Sequence, residues 1–421
     1  MSLVYTWAPD RAYANGTMAA WAKENKLHTA RYPAGTASYF NWENPTGQMG
    51  NSSLSRNWID NHCKPAPKED WMSLKEYLKL CSDAGLRPLI GVNYNCHNYQ
   101  KCNVPLNESI ARAVRQVEFV TQQGFRGAFW YIGNEDSASK PANTQRIVEH
   151  VKAMKAVDPT LKALWNDNGI SPDGLIQFLN ASGKWMDGVE FHGKWPYGGT
   201  PKGFPNATLR QFLHEVPLLE HKSGQSWGDK IDGLRKAAVA AGRPDLILAN
   251  NEYGLGKPKL FLDGNFTRYT RALVVVELAL DMYASGYDIA AFWDNGDGGQ
   301  LSMSEHMLLD SSHDYRMNPM HLGLTMLSRS TAMRMLALHS SSARVHGFAA
   351  KHQTTNALEY YLINKFEVSM PVVVRGGVKA RTVQSMVDSR DHWGALVTST
   401  VNNASSNVSF TLPPLSFSRI Y

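Results

Sequence analysis

The sequence predicts an α/β protein: a (β/α)8 TIM barrel over residues 1–337, followed by a small C-terminal β-sandwich over residues 338–421. Three observations carry this prediction. Short apolar runs alternate with helical periodicity about eight times, and that alternation argues a parallel sheet with helical crossovers. The runs are continuously apolar, as in strands covered on both faces, and polar and aromatic residues collect where they end. From about Leu338 the helical signal gives way to short strand-like runs separated by turns. A doubly wound sheet is the competing arrangement. It commonly opens on a Gly-rich phosphate turn after the first strand, and this sequence has none.

The elements follow in order. Leu3–Trp7 is either the first barrel strand or a strand lent to another sheet. Gly16–Lys26 reads as a helix. Thr29–Pro33 is a strand that opens into a long loop rich in turn residues and aromatics, as a substrate-binding loop would be. Trp71–Ala84 is an amphipathic helix closed by Gly85, and Arg87–Val92 is the third strand. Glu108–Gln123 is a helix with Gly124 just past its end. The fourth strand lies in Gly127–Glu135, GAFWYIGNE. Helix 143–157, strand 161–165 and helix 172–179 come next. The sixth strand, Gly188–Phe191, ends on His192. Helical pattern over 207–213 and 227–241 precedes the seventh strand in Leu246–Gly254, LILANNEYG. A strong helix over 266–284, a strand over 289–292 ending on Trp293, and a last helix over 319–335 complete the barrel.

Composition narrows the function. The chain has 421 residues, 43% hydrophobic and 19% charged, as in a globular protein, with no apolar run long enough for a membrane span. A net charge of +6 is spread without a Lys/Arg run, which argues against a nucleic-acid partner. Twelve Trp and 17 Tyr suit a carbohydrate groove, where aromatic faces stack on sugar rings. The four cysteines, Cys63, Cys81, Cys96 and Cys102, fall in one section of the chain, and the expected pairings are Cys96–Cys102 and Cys63–Cys81. Eight Asn-x-Ser/Thr sequons, at Asn15, Asn51, Asn107, Asn180, Asn206, Asn265, Asn403 and Asn407, point with the cysteines to a secreted glycoprotein. No signal peptide opens the sequence.

The chemistry is carried by two glutamates. Glu135 and Glu252 each follow an apolar run and are each preceded by Asn, Asn134 and Asn251. A carboxyl where a buried strand runs out is partly desolvated and open on one side, and desolvation raises its pKa toward that of a general acid. Asp167, Asp294 and Asp297 are further strand-end carboxylates that compete for the role.

These motifs resemble the clan A glycoside hydrolases. The likeness rests on GNE at Gly133–Glu135 on the fourth strand, NEYG at Asn251–Gly254 on the seventh, and RYPAGT at Arg31–Thr36 on the second, with Ala34 where a glycine is usual. EFHGKWPYG on the sixth strand and the terminal β-domain complete the similarity to families 39, 51 and 79 of that clan. The resemblance implies a retaining mechanism, with Glu135 as general acid/base and Glu252 as nucleophile. It implies that Asn134 binds the sugar 2-hydroxyl and that Arg31 lies beneath Glu252. It also implies that His192 or Tyr197 lines the site and that Trp293 is the sugar platform. Asn251 joins the sugar-binding set. The expected activity is hydrolysis of a cell-wall, algal or matrix polysaccharide, with no metal and no cofactor. The competing readings are a non-catalytic carbohydrate-binding or structural protein on the same scaffold, and a metal-dependent barrel hydrolase, for which the strand-end His/Asp clusters are sparse.

Overall fold

A computed structural model describes residues 2–4, 16–33, 42–43, 73–94, 105–134, 141–195, 208–220, 224–256, 265–293, 308–328, 333–375, 382–401 and 407–421. The chain divides into two compact units. One comprises Met1–Gly193, Ile231–Glu252 and Tyr287–Tyr315; the other comprises Lys194–Lys230, Tyr253–Gly286 and Arg316–Tyr421.

The first unit is built on eight strands: β1 (Ser2–Val4), β2 (Thr29–Tyr32), β3 (Arg87–Val92), β4 (Phe129–Ile132), β5 (Lys162–Asn166), β6 (Gly188–Trp195), β7 (Ile247–Leu255) and β8 (Ile289–Phe292). They follow one another round a closed ring, and β1 shuts it by pairing in parallel with both β2 and β8. Ser2–Val4 is therefore the first barrel strand. The last residues of β6 and β7 are counted with the second unit. The helices α1 (Thr17–Glu24), α2 (Leu74–Ala84), α3 (Leu106–Gln122), α4 (Pro141–Val157) and α5 (Pro172–Ser182) follow the first five strands. After β6 come α6 (Leu209–His214) and α7 (Trp227–Ala240), after β7 comes α8 (Arg268–Ser285), and after β8 comes α9 (Met320–Ser328). Among the described residues no helix is long and apolar enough to cross a membrane.

Strand periodicity decides what fills the ring. Leu89, Tyr131, Leu164, Ala249 and Ile289 form a buried cluster, with Phe129 and Ile247 packed on it. Gly188 sits where a Cβ would come within 2.5 Å of the Ile247 carbonyl oxygen and 2.6 Å of a Leu164 methyl, so only glycine lets β6 approach this layer. Side chains two apart on a strand share a face. Glu190 and His192 therefore follow Gly188 on the same side of β6, and Asn166 of β5 stands opposite Glu190 in register. The Tyr77 hydroxyl of α2 donates to the Ala30 carbonyl and accepts from the Leu89 N–H at 3.1 Å, tying β2 to β3.

Four expectations need correction. Glu252 does not end its strand: β7 continues to Leu255, with Tyr253 and Leu255 buried. β6 also outruns its expected end, and Gly256 donates its N–H to the Trp195 carbonyl at 3.0 Å. The last helix stops at Ser328, and Met333–Leu336 is a strand instead of helix. Finally, Cys81 carries a free thiol, so the expected Cys63–Cys81 bridge does not form. It lies one turn after Tyr77 on the packed face of α2, with no exposed surface, and burial pushes its thiol pKa up to about 12. The expected Cys96–Cys102 pair lies outside the described residues. Because the thiolate is the reactive form, alkylation of the folded protein should leave the Cys81 peptide unmodified, and denaturant should expose it. Rapid native labelling of Cys81, read by peptide mass spectrometry, would contradict this.

The second unit holds the β-sandwich. Its strands are β9 (Met333–Leu336), β10 (Val345–His352), β11 (Leu358–Asn364), β12 (Met370–Val374), β13 (Thr382–Val387), β14 (Ala395–Thr400), β15 (Val408–Leu412) and β16 (Ser416–Ile420). Six form an antiparallel sheet in the order β9-β10-β11-β16-β13-β14, and β12 pairs with β15. Val345, Ala349, Tyr360, Leu362, Val383 and Ile420 of the larger sheet pack against Val374, Val408 and Leu412 of the smaller. On the opposite face Phe348, Tyr361 and Phe417 stack in a row that begins on Tyr283 of α8.

A buried ionic cluster sits on that second face. Lys365 has no exposed surface, its ammonium lies 3.0 Å from both oxygens of Glu277, and it donates to the Glu215 carbonyl at 2.7 Å. His346 Nε2 lies 3.3 Å from Glu277 and 3.8 Å from Asp281. The carboxylate and imidazole atoms are close enough to hold a metal ion, but Lys365 already supplies the cation. Burial raises the Asp281 carboxyl from 3.8 to about 7, with Glu277 adding to the rise. The folded state thus binds a proton that the unfolded chain releases, so stability from this group is present below about pH 4 and is lost as pH rises to 7. The His346 imidazole, whose pKa the Glu277 and Asp281 anions raise against the opposing effect of burial, acts in the same direction. Thermal unfolding should show stability falling from pH 5 to 8 by a smaller amount in Asp281→Asn than in the unaltered protein. An identical slope would contradict the assignment.

Candidate active site

Above the apolar layer the ring turns polar, and five of the expected residues meet there. Arg31, on β2, is fully buried. Its Nη1 donates to Glu252 Oε1 at 2.5 Å and reaches the Asn251 carbonyl at 3.5 Å, while Nη2 donates to Asn134 Oδ1 at 3.0 Å. The guanidinium also lies 4.2 Å from the centre of the Tyr131 ring. One planar fork thus joins residues of three strands or their ends, a geometry an ammonium group could not reproduce. Burial opposes the charge on Arg31, but Tyr131, Glu252 and Glu190 more than offset it, so its pKa is held above the ordinary value. Burial likewise raises the Tyr131 phenol, which stays neutral.

Asn134 is placed by the turn before it. Gly133 has φ of 79°, a left-handed conformation that glycine adopts without strain, and its N–H reaches the Val92 carbonyl at 3.3 Å. The chain leaves β4 abruptly there, and the Asn134 side chain turns back onto Arg31. The Asn251 amide is fully buried, and among the described residues neither its oxygen nor its nitrogen has a hydrogen-bond partner. Buried amides are seldom left so.

The second oxygen of Glu252 faces His192, whose Nδ1 lies 3.5 Å from Oε2. His192 Nε2 lies 3.1 Å from the Asn166 Nδ2 and 3.6 Å from Glu190 Oε2. Asn166 Nδ2 also donates to Glu190 Oε1, and the His192 backbone N–H donates to Asn168 Oδ1 at 2.8 Å. Burial raises the Glu190 pKa, although His192, Arg31 and Asn166 act to lower it. Glu252 itself is 4% exposed. A guanidinium thus bonds one oxygen of Glu252, and an imidazole faces the other.

Trp293 follows β8, the neighbour of β7 in the ring, and packs partly buried against Ala291. Asp167, one of the rival carboxylates, accepts from the Gly169 N–H at 2.8 Å and shapes a turn. Glu135 and Tyr197 lie outside the described residues, as do Asp294 and Asp297. Two members of the site were not anticipated. Glu190 and Asn166 are as buried as Arg31 and complete its network. The pattern Glu-Phe-His at 190–192 contained the signal, since a residue two before His192 on a strand must face the same way.

Residues 23–192 match the family model described as the alpha-L-arabinofuranosidase 1 domain. No curated protein matches the sequence. Solved structures share its architecture at low identity. AbfB, a family 51 alpha-L-arabinofuranosidase from Bifidobacterium longum, is 13% identical with a TM-score of 0.66, over 100% of this chain and 94% of its own. The family 30 subfamily 8 xylanase Xyn30A from Clostridium acetobutylicum is 12% identical with a TM-score of 0.61, over 100% and 94%. A family 44 xyloglucanase from Paenibacillus polymyxa is 12% identical with a TM-score of 0.60, over 99% and 95%.

Proposed function

We propose that this chain, which has the fold of the clan A glycoside hydrolases, is a retaining O-glycoside hydrolase acting on a polysaccharide. One observation carries the reading: the guanidinium that grips Glu252 also holds Asn134, the residue that precedes Glu135 in the chain. Asn134, just past β4, and Glu252, within β7, are far apart in sequence and converge on Arg31. Two carboxyls about 5–5.5 Å apart give retention through a covalent glycosyl-enzyme, whereas a gap of about 6.5–9.5 Å admits a water and gives inversion. The clan resemblance favours the shorter gap.

In the first step Glu135 protonates the glycosidic oxygen while Glu252 attacks the anomeric carbon. The bond to the leaving group breaks, and an ester to Glu252 forms. Loss of the carboxylate charge then favours deprotonated Glu135, which takes a proton from water as that water attacks the ester carbon and frees Glu252. Asn134 and Asn251 hydrogen-bond the sugar hydroxyls, His192 and Tyr197 line the site, and Trp293 supplies the platform under the ring. None of these steps calls on a metal or cofactor.

The family match and AbfB make an arabinofuranosyl linkage the first substrate to test, with xylan, xyloglucan, galactans and uronides following. Secretion and glycosylation belong to the same proposal. The sequon asparagines Asn107, Asn180, Asn265 and Asn407 are all exposed. A polysaccharide panel with NMR of the first-formed anomer tests the reading. Retained configuration supports it, an inverted product overturns retention, and binding without turnover favours a non-catalytic carbohydrate-binding protein.

A further inference from the structure

The second unit carries a cluster of titratable groups that the proposed double displacement does not use. Glu277 and Asp281 stand one turn apart on α8, and His346 of β10 faces them. One oxygen from each acid and one ring nitrogen all lie within 4.8 Å of one another. The contact between α8 and β10 does not depend on these groups. Tyr283 and Phe348, each two residues further along its element, stack with ring centres 6.3 Å apart. Lys365 is placed beside the cluster by its backbone N–H, which donates to the Arg344 carbonyl at 2.8 Å.

Hydrogen bonding leaves the cluster unfinished. Lys365 Nζ lies 3.0 Å from both oxygens of Glu277, but its hydrogen bond goes to Oε1, and it also donates to the Glu215 carbonyl. Glu277 Oε2, Asp281 Oδ2 and both ring nitrogens of His346 are shut off from solvent and have no hydrogen-bond partner among the described residues. Buried polar atoms are rarely left so, and several left together call for an ion or ordered water. His346 Nε2 comes to 3.3 Å from Glu277 and 3.8 Å from Asp281 without hydrogen-bonding to either. Ligands at about 2.0–2.1 Å from a tetrahedral ion stand roughly 3.3 Å from one another. The separations are therefore those of donors set around a shared centre.

Charge points the same way. Lys365 brings one positive charge to two carboxylates. It neutralises Glu277 and leaves the charge of Asp281 to be met by a proton, on itself or on His346, or by a metal ion. A carboxylate can accept from an ammonium on one oxygen and bind a metal through the other, and such an outer contact orients the ligand. The Glu277 side chain has no exposed surface, whereas those of His346 and Asp281 keep 17% and 13%, so an ion can enter from their side.

We propose that Glu277, Asp281 and His346 bind one first-row divalent cation, zinc in the first instance, and that the ion clips α8 to β10. An imidazole with two carboxylates suits zinc better than magnesium or calcium, which favour oxygen ligands alone. Water fills the fourth position. Binding releases any protons the three groups carry and involves no change of oxidation state.

Chelator-treated protein titrated with zinc chloride by isothermal calorimetry tests the site. One tight equivalent is expected, and His346→Gln and Asp281→Asn should each weaken it by about 10-fold or more. Zinc at about 100 times its dissociation constant should raise the unfolding temperature of the unaltered protein by about 3–5 °C, and neither variant should show that rise. No bound zinc, or equal binding in both folded variants, overturns the proposal. If neither variant folds, NMR of the unaltered protein decides: zinc must shift the His346 ring signals, and His346 unmoved at saturating zinc refutes the site. These readouts need no substrate, so they stand whether or not the protein cleaves a glycan.

Discussion

Glu252→Gln should abolish glycan hydrolysis, lowering kcat by on the order of 10⁴-fold or more, as removal of a nucleophile does elsewhere. The substitution is nearly isosteric, and the amide oxygen can still accept from Arg31 Nη1 where Oε1 now does. The fold should therefore survive, and circular dichroism should match that of the unaltered protein. What is lost is the charge. An amide does not form the ester intermediate, and it no longer stabilises the positive charge that develops on the sugar ring. Substrate binding should persist, because the remaining sugar contacts are assigned to Asn134, Asn251, His192 and Trp293. Initial-rate kinetics on whichever glycan the protein cleaves is the measurement. A variant that retains more than about a tenth of the activity would remove Glu252 from the mechanism.

Arg31→Met should damage both stability and rate. Arg31 is fully buried and bonds Glu252, Asn134 and the Asn251 carbonyl at once. Removing it leaves a buried carboxylate without its closest cation, a change that typically costs about 3–5 kcal/mol. The site can escape part of that cost by protonating Glu252, which disables the nucleophile. The acid limb of the rate profile should then move to higher pH, and kcat should fall by on the order of 10²-fold. Arg31→Lys restores the charge but not the fork, so one ammonium cannot serve both Glu252 and Asn134. It should recover stability better than rate. Denaturant unfolding with a pH–rate series measures both effects, and Arg31→Met with unaltered stability would show that the pair contributes little.

The ring of strands was legible in the sequence because its determinants are local. Each strand is a short apolar run, each helix an amphipathic stretch, and their alternation leaves few topologies open. The pairing of Arg31 with Glu252 was legible for another reason. Both lie in short motifs, RYPAGT and NEYG, whose resemblance to a family places them together although 221 positions separate them. Glu190 begins the EFHGKWPYG motif, and its place two before His192 sets its face, but its partners Asn166 and Arg31 reach it only through the closed ring.

The misread elements share that cause. Met333–Leu336, with its Met and Leu, has the composition of a helix, but antiparallel pairing with β10 makes it a strand. Nothing in LILANNEYGL says that the strand runs on past Glu252. That follows from β6 extending beside it, seen in the bond from Gly256 to Trp195. Clustering of cysteines along the chain suggested a bridge, yet the helical phase of α2 turns Cys81 inward, into the packed face of the helix.

The central claim is that Glu252 forms the covalent bond to the sugar. It is tested most directly by incubating the protein with a 2-deoxy-2-fluoro glycoside of the sugar it releases, carrying a good leaving group, and mapping the digest by mass spectrometry. The account predicts one added glycosyl group, on the peptide containing Glu252, and none in Glu252→Gln. A label on any other residue, or steady turnover of the unmodified substrate with no trapped adduct, would contradict it.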